Sequence, residues 1–197
     1  MPDARCATLL VMGMQVLRIK RVVAALFLAM GFSGSVYAQD AGLDDLYQQL
    51  TEAEPAEAER LAGQIIASWE RSGSAAMDLL LRRGQEALED GAPDVAVQHF
   101  SALVDHAPEF SEGYYGRAMA YYLLGLTGPA LNDLGQVLTM NPRHFEALRG
   151  LAIIMEDTGR DDRALGAYRM ILDIHPQSPD AQASVSRLGL QLEGQSL

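Results

Sequence analysis

At 197 residues and 49% apolar content, the chain is long enough to bury a sizeable core and too apolar to be disordered over most of its length. Its 26 acids against 15 basic residues give a formal net charge of −11, which makes nucleic acid and anionic lipid surfaces poor partners. A single cysteine, Cys6, rules out an internal disulfide framework.

The first predicted element is a leader. From Met14, Arg18, Lys20 and Arg21 precede an apolar run over residues 22–32 and a small-residue end at Val36, Tyr37 and Ala38. That is the three-part layout of a secretory signal peptide over residues 1–38, with Met14 as the expected true start and cleavage after Ala38. The run is short against the ~20 residues that span a bilayer, and Gly31, Ser33, Gly34 and Ser35 interrupt its end, so an uncleaved anchor is the weaker alternative. Cys6 does not follow an apolar run and does not read as a lipoprotein acceptor. Removing residues 1–38 leaves 25 acids, 11 arginines, no lysine and no thiol, a formal charge of −14. An oxidising envelope compartment, the periplasm, suits that chain, and stable membrane insertion after cleavage is not expected.

Residues 39–76 predict a helix pair: one helix over 43–52, a break at Pro55, and a second over 56–70 that stops before Ser72, Gly73 and Ser74. From Met77 a period sets in. Pro108, Pro142 and Pro176 are spaced 34 residues apart, dividing the chain into 77–110, 111–144 and 145–178. In each unit the eighth position is small (Gly84, Ala118, Ala152), the fifteenth glycine (Gly91, Gly125, Gly159) and the twentieth alanine (Ala96, Ala130, Ala164), while the twenty-fourth is large (Phe100, Leu134, Tyr168). Small residues let two helices approach and the large one fills the space beside them. The glycines can stop a first helix, and Pro93-Asp94, Thr127 and Asp161 suit the first turn or cap of a second. Over 179–197, Ser178, Pro179 and Asp180 open a last helix to about Leu192 that caps the stack, with Ser184, Arg187 and Gln191 available for its wet side.

These residues resemble the tetratricopeptide repeat family, whose unit is 34 residues and two antiparallel helices. The resemblance covers residues 77–176. It departs at position four (Leu80, Tyr114, Leu148) and position eleven (Ala87, Tyr121, Met155), where volume changes within the apolar class. It implies an all-α helix-turn-helix solenoid of about three repeats, a degenerate leading pair and a C-terminal capping helix. In the leading pair Ala62 and Ile66 keep register, but Leu50, Glu57 and Ser74 replace the small residue, glycine and proline.

The resemblance also places a concave groove on the first helices, at Leu81, Gln85 and Leu88, then Tyr115, Met119 and Tyr122, then Arg149, Ile153 and Glu156. Tyr114 and Tyr121 would pack the helix pair together. Residues of the family's carboxylate clamp are replaced by Leu81, Gln85, Tyr115, Met119, Arg149 and Ile153, so binding of chaperone tails by a clamp is not expected. Met119, Tyr115 and Tyr122 make an adaptable apolar floor for a helix or extended peptide, unless the leading unit or terminal helix folds onto it as core. Acids at position two, Asp78, Glu112 and Glu146, suit either a basic partner or the helix dipole.

Catalytic constellations are lacking. His99 and His106 have no HExxH or cysteine-rich context, His144 and His175 fall between units and read as surface residues, and the acids of Asp157 to Arg163 lie in a turn. No phosphate loop or GxSxG elbow occurs, so no catalytic residue, metal or cofactor is expected. The implied function is a non-catalytic adaptor or assembly factor in the bacterial cell envelope, holding a peptide or helix of another protein. The alternatives are a structural subunit docking by its stack face and, less in keeping with the residues, an atypical metal-dependent hydrolase. Nothing in the sequence sets the oligomeric state.

Overall fold

The computed structural model describes residues 34–195, with side chains over 42–194. Met14, Cys6 and the apolar run at 22–32 lie outside the described residues. The chain divides into two compact units, Met1–Asp45 and Leu46–Leu197; of the first, the described part is helical, and the packing described below is that of the second. Among the described residues the architecture is all-α: α1 (Gly34–Glu52), α2 (Pro55–Trp69), α3 (Ala75–Glu89), α4 (Pro93–His106), α5 (Ser111–Leu123), α6 (Thr127–Met140), α7 (Phe145–Asp157), α8 (Asp161–Ile174) and α9 (Pro179–Gln195). No helix of the described residues is long and apolar enough to cross a membrane.

From α3 onward each helix packs on the next in the chain, and the first helices α3, α5 and α7 lie side by side, a helical solenoid that α9 caps. The turns inside the pairs follow from glycine. Gly91, Gly125 and Gly159 take φ of +71°, +74° and +68°, the left-handed region that ends a helix and that other residues resist. The residue after each glycine donates its amide back into the first helix, as Arg160 does to the Met155 carbonyl at 2.8 Å. That residue therefore occupies the cap position of the second helix, and Thr127 and Asp161 stand one place later as the first helical residues, not as caps.

Small and large residues interlock as their spacing predicts. Ala96, Ala130 and Ala164 are fully buried, and Phe100, Leu134 and Tyr168 are buried beside them. Phe100 is wedged between two glycines: a Cβ on Gly84 or on Gly116 would fall 2.4 Å from its ring. Tyr114 and Tyr121 are half-buried, with the Arg117 guanidinium 5.5 and 5.9 Å from their ring centroids. Arg117 in turn grips the buried Asp133 of α6 through two hydrogen bonds, Nε to Oδ2 at 2.7 Å and Nη2 to Oδ1 at 3.0 Å. On α9 the polar residues bridge back to the stack, Arg187 Nη2 to Glu156 Oε2 at 2.6 Å and Gln191 Nε2 to Asp161 Oδ2 at 2.7 Å. Arg187 and Gln191 stay exposed while they do so, on the wet side of the helix where they were expected, and Ser184 is half-buried.

Candidate functional site

Helix α2 does not join the succession of stacked helices. Its sequence places Ala58, Leu61, Ala62, Ile65 and Trp69 on one stripe, and these are its buried residues, while Glu57, Glu59 and Arg60 face outward. Ala62, Ile66 and Trp69 of this helix stand against the row of first helices. At its C-terminal end the Trp69 indole stacks on the His144 ring at 4.0 Å between centroids and 22° between planes, and tilts against Phe145 at 4.8 Å. Tyr115 is tilted against the same His144 ring at 5.1 Å. Glu70, at the end of α2, accepts a hydrogen bond from Gln85 Nε2 at 2.8 Å. The C-terminal end of this amphipathic helix thus finds its burial on the groove.

His144 organises this end of the groove. The ring is fully buried, its Nδ1 accepts from the Ala147 amide at 3.1 Å, and its Nε2 lies 2.9 Å from Glu112 Oε1. An acceptor Nδ1 leaves the proton on Nε2, so the neutral imidazole donates to the Glu112 carboxyl. The ring caps the N-terminus of α7 and ties α7 to α5. His175 is also buried, edge-on to Phe145 at 5.8 Å, and its pKa is held below the ordinary value by burial and then by the Arg149 charge. Both histidines were expected at the surface. They are buried because each connection between units folds inward against the next first helix. Of the others, His99 is half-buried and His106 exposed, and no group of three or more potential metal ligands occurs among the described residues.

The predicted groove residues separate into three sets. Leu81, Gln85, Leu88, Tyr115 and Met119 line one pocket of about 100 Å3, which Ile66, Trp69 and Glu70 of the α2 end close. Burial, reinforced by the Glu146 and Glu112 carboxylates, raises the Tyr115 phenol well above its ordinary pKa. Arg149 lines a second, more open cleft of about 710 Å3 between residues 55–66 of α2 and the α7 and α9 N-termini, with Glu59, Glu146, His175 and Gln177. Tyr122, Ile153 and Glu156 line neither: the Tyr122 hydroxyl donates to Asp157, Ile153 is exposed, and Glu156 accepts from the Tyr168 hydroxyl at 2.8 Å. The acids at position two do not stand as a free row. Asp78 accepts from the Ser72 amide at 3.0 Å, Glu112 from His144, and Glu146 from Arg149 at 3.1 Å.

Trp69 and His144 were not among the expected site residues, although the chain has one tryptophan and it ends an amphipathic stripe. The stripe was legible as a helix face; which surface it covers depends on the shape of the finished stack.

Two family profiles, each described as tetratricopeptide repeat, match residues 81–128 and 127–188. A TPR repeat-containing protein of Rhizobium etli is 33% identical over 153 residues, which cover 77% of this chain and 75% of that protein. Among solved structures, the Yersinia enterocolitica type III secretion chaperone SycD in complex with a peptide of the translocator YopD superposes with a TM-score of 0.56 at 14% identity, over 60% of this chain and 95% of that one. The first TPR of Spaghetti (RPAP3), bound to the HSP90 peptide SRMEEVD, gives 0.57 at 19% identity, over 59% and 93%. At these identities the two structures report on fold alone.

Proposed function

This chain belongs to the tetratricopeptide repeat family, and from that premise we propose that it is a non-catalytic adaptor or assembly factor that holds a peptide or helical segment of another protein on the row α3, α5 and α7. One observation carries this reading: Leu81, Gln85, Tyr115 and Met119 already surround the end of an amphipathic helix, the chain's own α2, so the surface has the shape and apolarity that such a ligand needs. The solved relatives described above hold peptides of other proteins, which supports the same direction. The proposed units are residues 77–110, 111–144 and 145–178, with 39–76 before them and 179–197 after. The proposed binding residues are Leu81, Gln85, Leu88, Tyr115, Met119, Tyr122, Arg149, Ile153 and Glu156. The signal-like layout of residues 14–38 supports export to the periplasm of a bacterium, with Gln39 as the first mature residue.

The test is site-specific photocrosslinking in the native host. A crosslinking residue at Met119 or Ile153 is expected to give one protein adduct, and the same residue at Gln98, on the exposed face of α4, none. The adduct's N-terminal sequence is expected to begin at Gln39. Adducts as strong from Gln98 as from Met119 would move the binding surface to the stack face, and an N-terminus at Met14 or Met1 would refute cleavage.

A further inference from the structure

We propose that the pocket between the α2 end and the groove is an anchor slot for one uncharged aliphatic side chain of the partner segment, a leucine, isoleucine, valine or methionine, and that α2 stays in place as one of its walls. This deepens the groove-binding reading and rests on it.

The slot has the size of a side chain. Its volume of about 100 Å3 compares with roughly 150 Å3 for an engineered apolar cavity that holds benzene, so it admits a branched aliphatic group and not an indole. None of the residues that line it is exposed. The cleft of about 710 Å3 differs in this respect, since Pro55, Glu59, Gly63 and Asp180 on its rim are exposed and it is open surface. The stripe Ala58, Leu61, Ala62, Ile65 and Trp69 is 0–8% exposed, which fixes α2 and with it the Ile66 and Trp69 walls. A site formed before its ligand arrives binds at a smaller ordering cost.

The lining sets the chemistry of the occupant. Its walls are the aliphatic side chains of Ile66, Leu81 and Leu88 and the rings of Trp69, Phe100 and Tyr115. Burial is the main cause that raises the Tyr115 phenol, as befits a wall that water reaches poorly. The three carboxylates of the lining are each engaged by a donor of this chain: Glu70 by Gln85, Glu112 by His144 and Glu146 by Arg149. An ion entering the slot would lose its hydration without free partners to replace it, and a water needs about two to four polar partners of its own. The Trp69 indole Nε1–H is buried without an acceptor among the described residues. An unmet donor favours the neutral carbonyl oxygen that accompanies every peptide side chain over a cation. Met119 supplies tolerance: its methyl points toward α7, where a Cβ on Gly150 would fall 2.9 Å from it, and the unbranched thioether can shift to suit aliphatic groups of similar volume.

The experiment uses the full chain, whose one tryptophan gives a single indole N–H resonance. The probes are isoamyl alcohol, isoamylammonium and isovalerate, which share a branched chain and differ in charge. The alcohol is expected to shift the Trp69 indole and Met119 methyl resonances saturably, and to bind about tenfold or more tightly than either ion. Leu88→Phe, which adds volume at the wall, is expected to abolish these shifts while the urea midpoint is retained. Leu88→Met, and Leu124→Phe at an exposed leucine outside the slot, are expected to keep them. A capped pentapeptide of alanines around one leucine is expected to move the same two resonances, and its all-alanine counterpart to leave them in place. Ammonium binding as tight as that of the alcohol, or shifts that persist in Leu88→Phe, would overturn the proposal. So would a slot that takes the alcohol and not the leucine peptide, which would make it a site for a free small molecule. Each of these failures leaves groove binding intact as long as Met119 or Ile153 still crosslinks to a partner; loss of that adduct removes groove binding itself.

Discussion

Phe100→Ala is expected to lower the unfolding free energy by about 3–5 kcal/mol, the range for deleting a fully buried aromatic side chain. The ring is fully buried and its two faces meet glycines on different helices, Gly84 of α3 and Gly116 of α5, where a Cβ would fall 2.4 Å away. One side chain thus fills the space that α3, α4 and α5 share. Three helix backbones cannot collapse onto a single missing ring without losing their other contacts, so most of the cavity should persist. Gly116→Ala tests the same contact from the other side: the added methyl meets the ring and should destabilise by about 1–3 kcal/mol. Urea denaturation checks both, and a loss below about 1 kcal/mol for Phe100→Ala would mean that the ring is not the wedge between these helices.

The second large effect is expected at His144. His144→Ala removes the donor to the buried Glu112 carboxyl and the acceptor for the Ala147 amide in one change. Leaving a buried ionisable group without its partner typically costs about 3–5 kcal/mol, and the stack on Trp69 is lost as well. Glu112→Gln keeps an oxygen that can accept from Nε2–H, so it should cost clearly less than His144→Ala. Denaturation of the two variants decides this. Equal losses would contradict the assignment of the proton to Nε2 and of the donor role to His144.

The stack was readable because its determinants are local and repeat. Glycine at φ near +70° ends a helix by its own backbone freedom, and alanine opposite a large residue sets an interhelix distance wherever the pair recurs. Tyr115 and Tyr122 were both placed on the first-helix face, yet Tyr115 meets the α2 end while Tyr122 bonds Asp157. That difference depends on where α2 lies, and α2 has no periodic partner to fix it. His144 was misread for a related reason. It lies at the end of a unit, where Phe110 and Ser178 occupy the equivalent places, and no rule of spacing indicates that a histidine there turns inward to cap the next helix. The Arg117–Asp133 pair links one helix of a unit to the other, and it does not recur as a pair, since the equivalent places hold Arg83 with His99 and Leu151 with Ala167, so the period carried no signal for it.

Seating of the α2 end on the groove is the claim from which the proposed binding surface follows. Proton–proton NOEs from the single tryptophan measure it directly in solution. Cross-peaks from the Trp69 indole to the rings of His144 and Phe145 are expected, given centroid separations of 4.0 and 4.8 Å. An indole with cross-peaks to α3 side chains and none to His144 or Phe145 would place α2 as one more layer of the stack, and would contradict the groove as its seat.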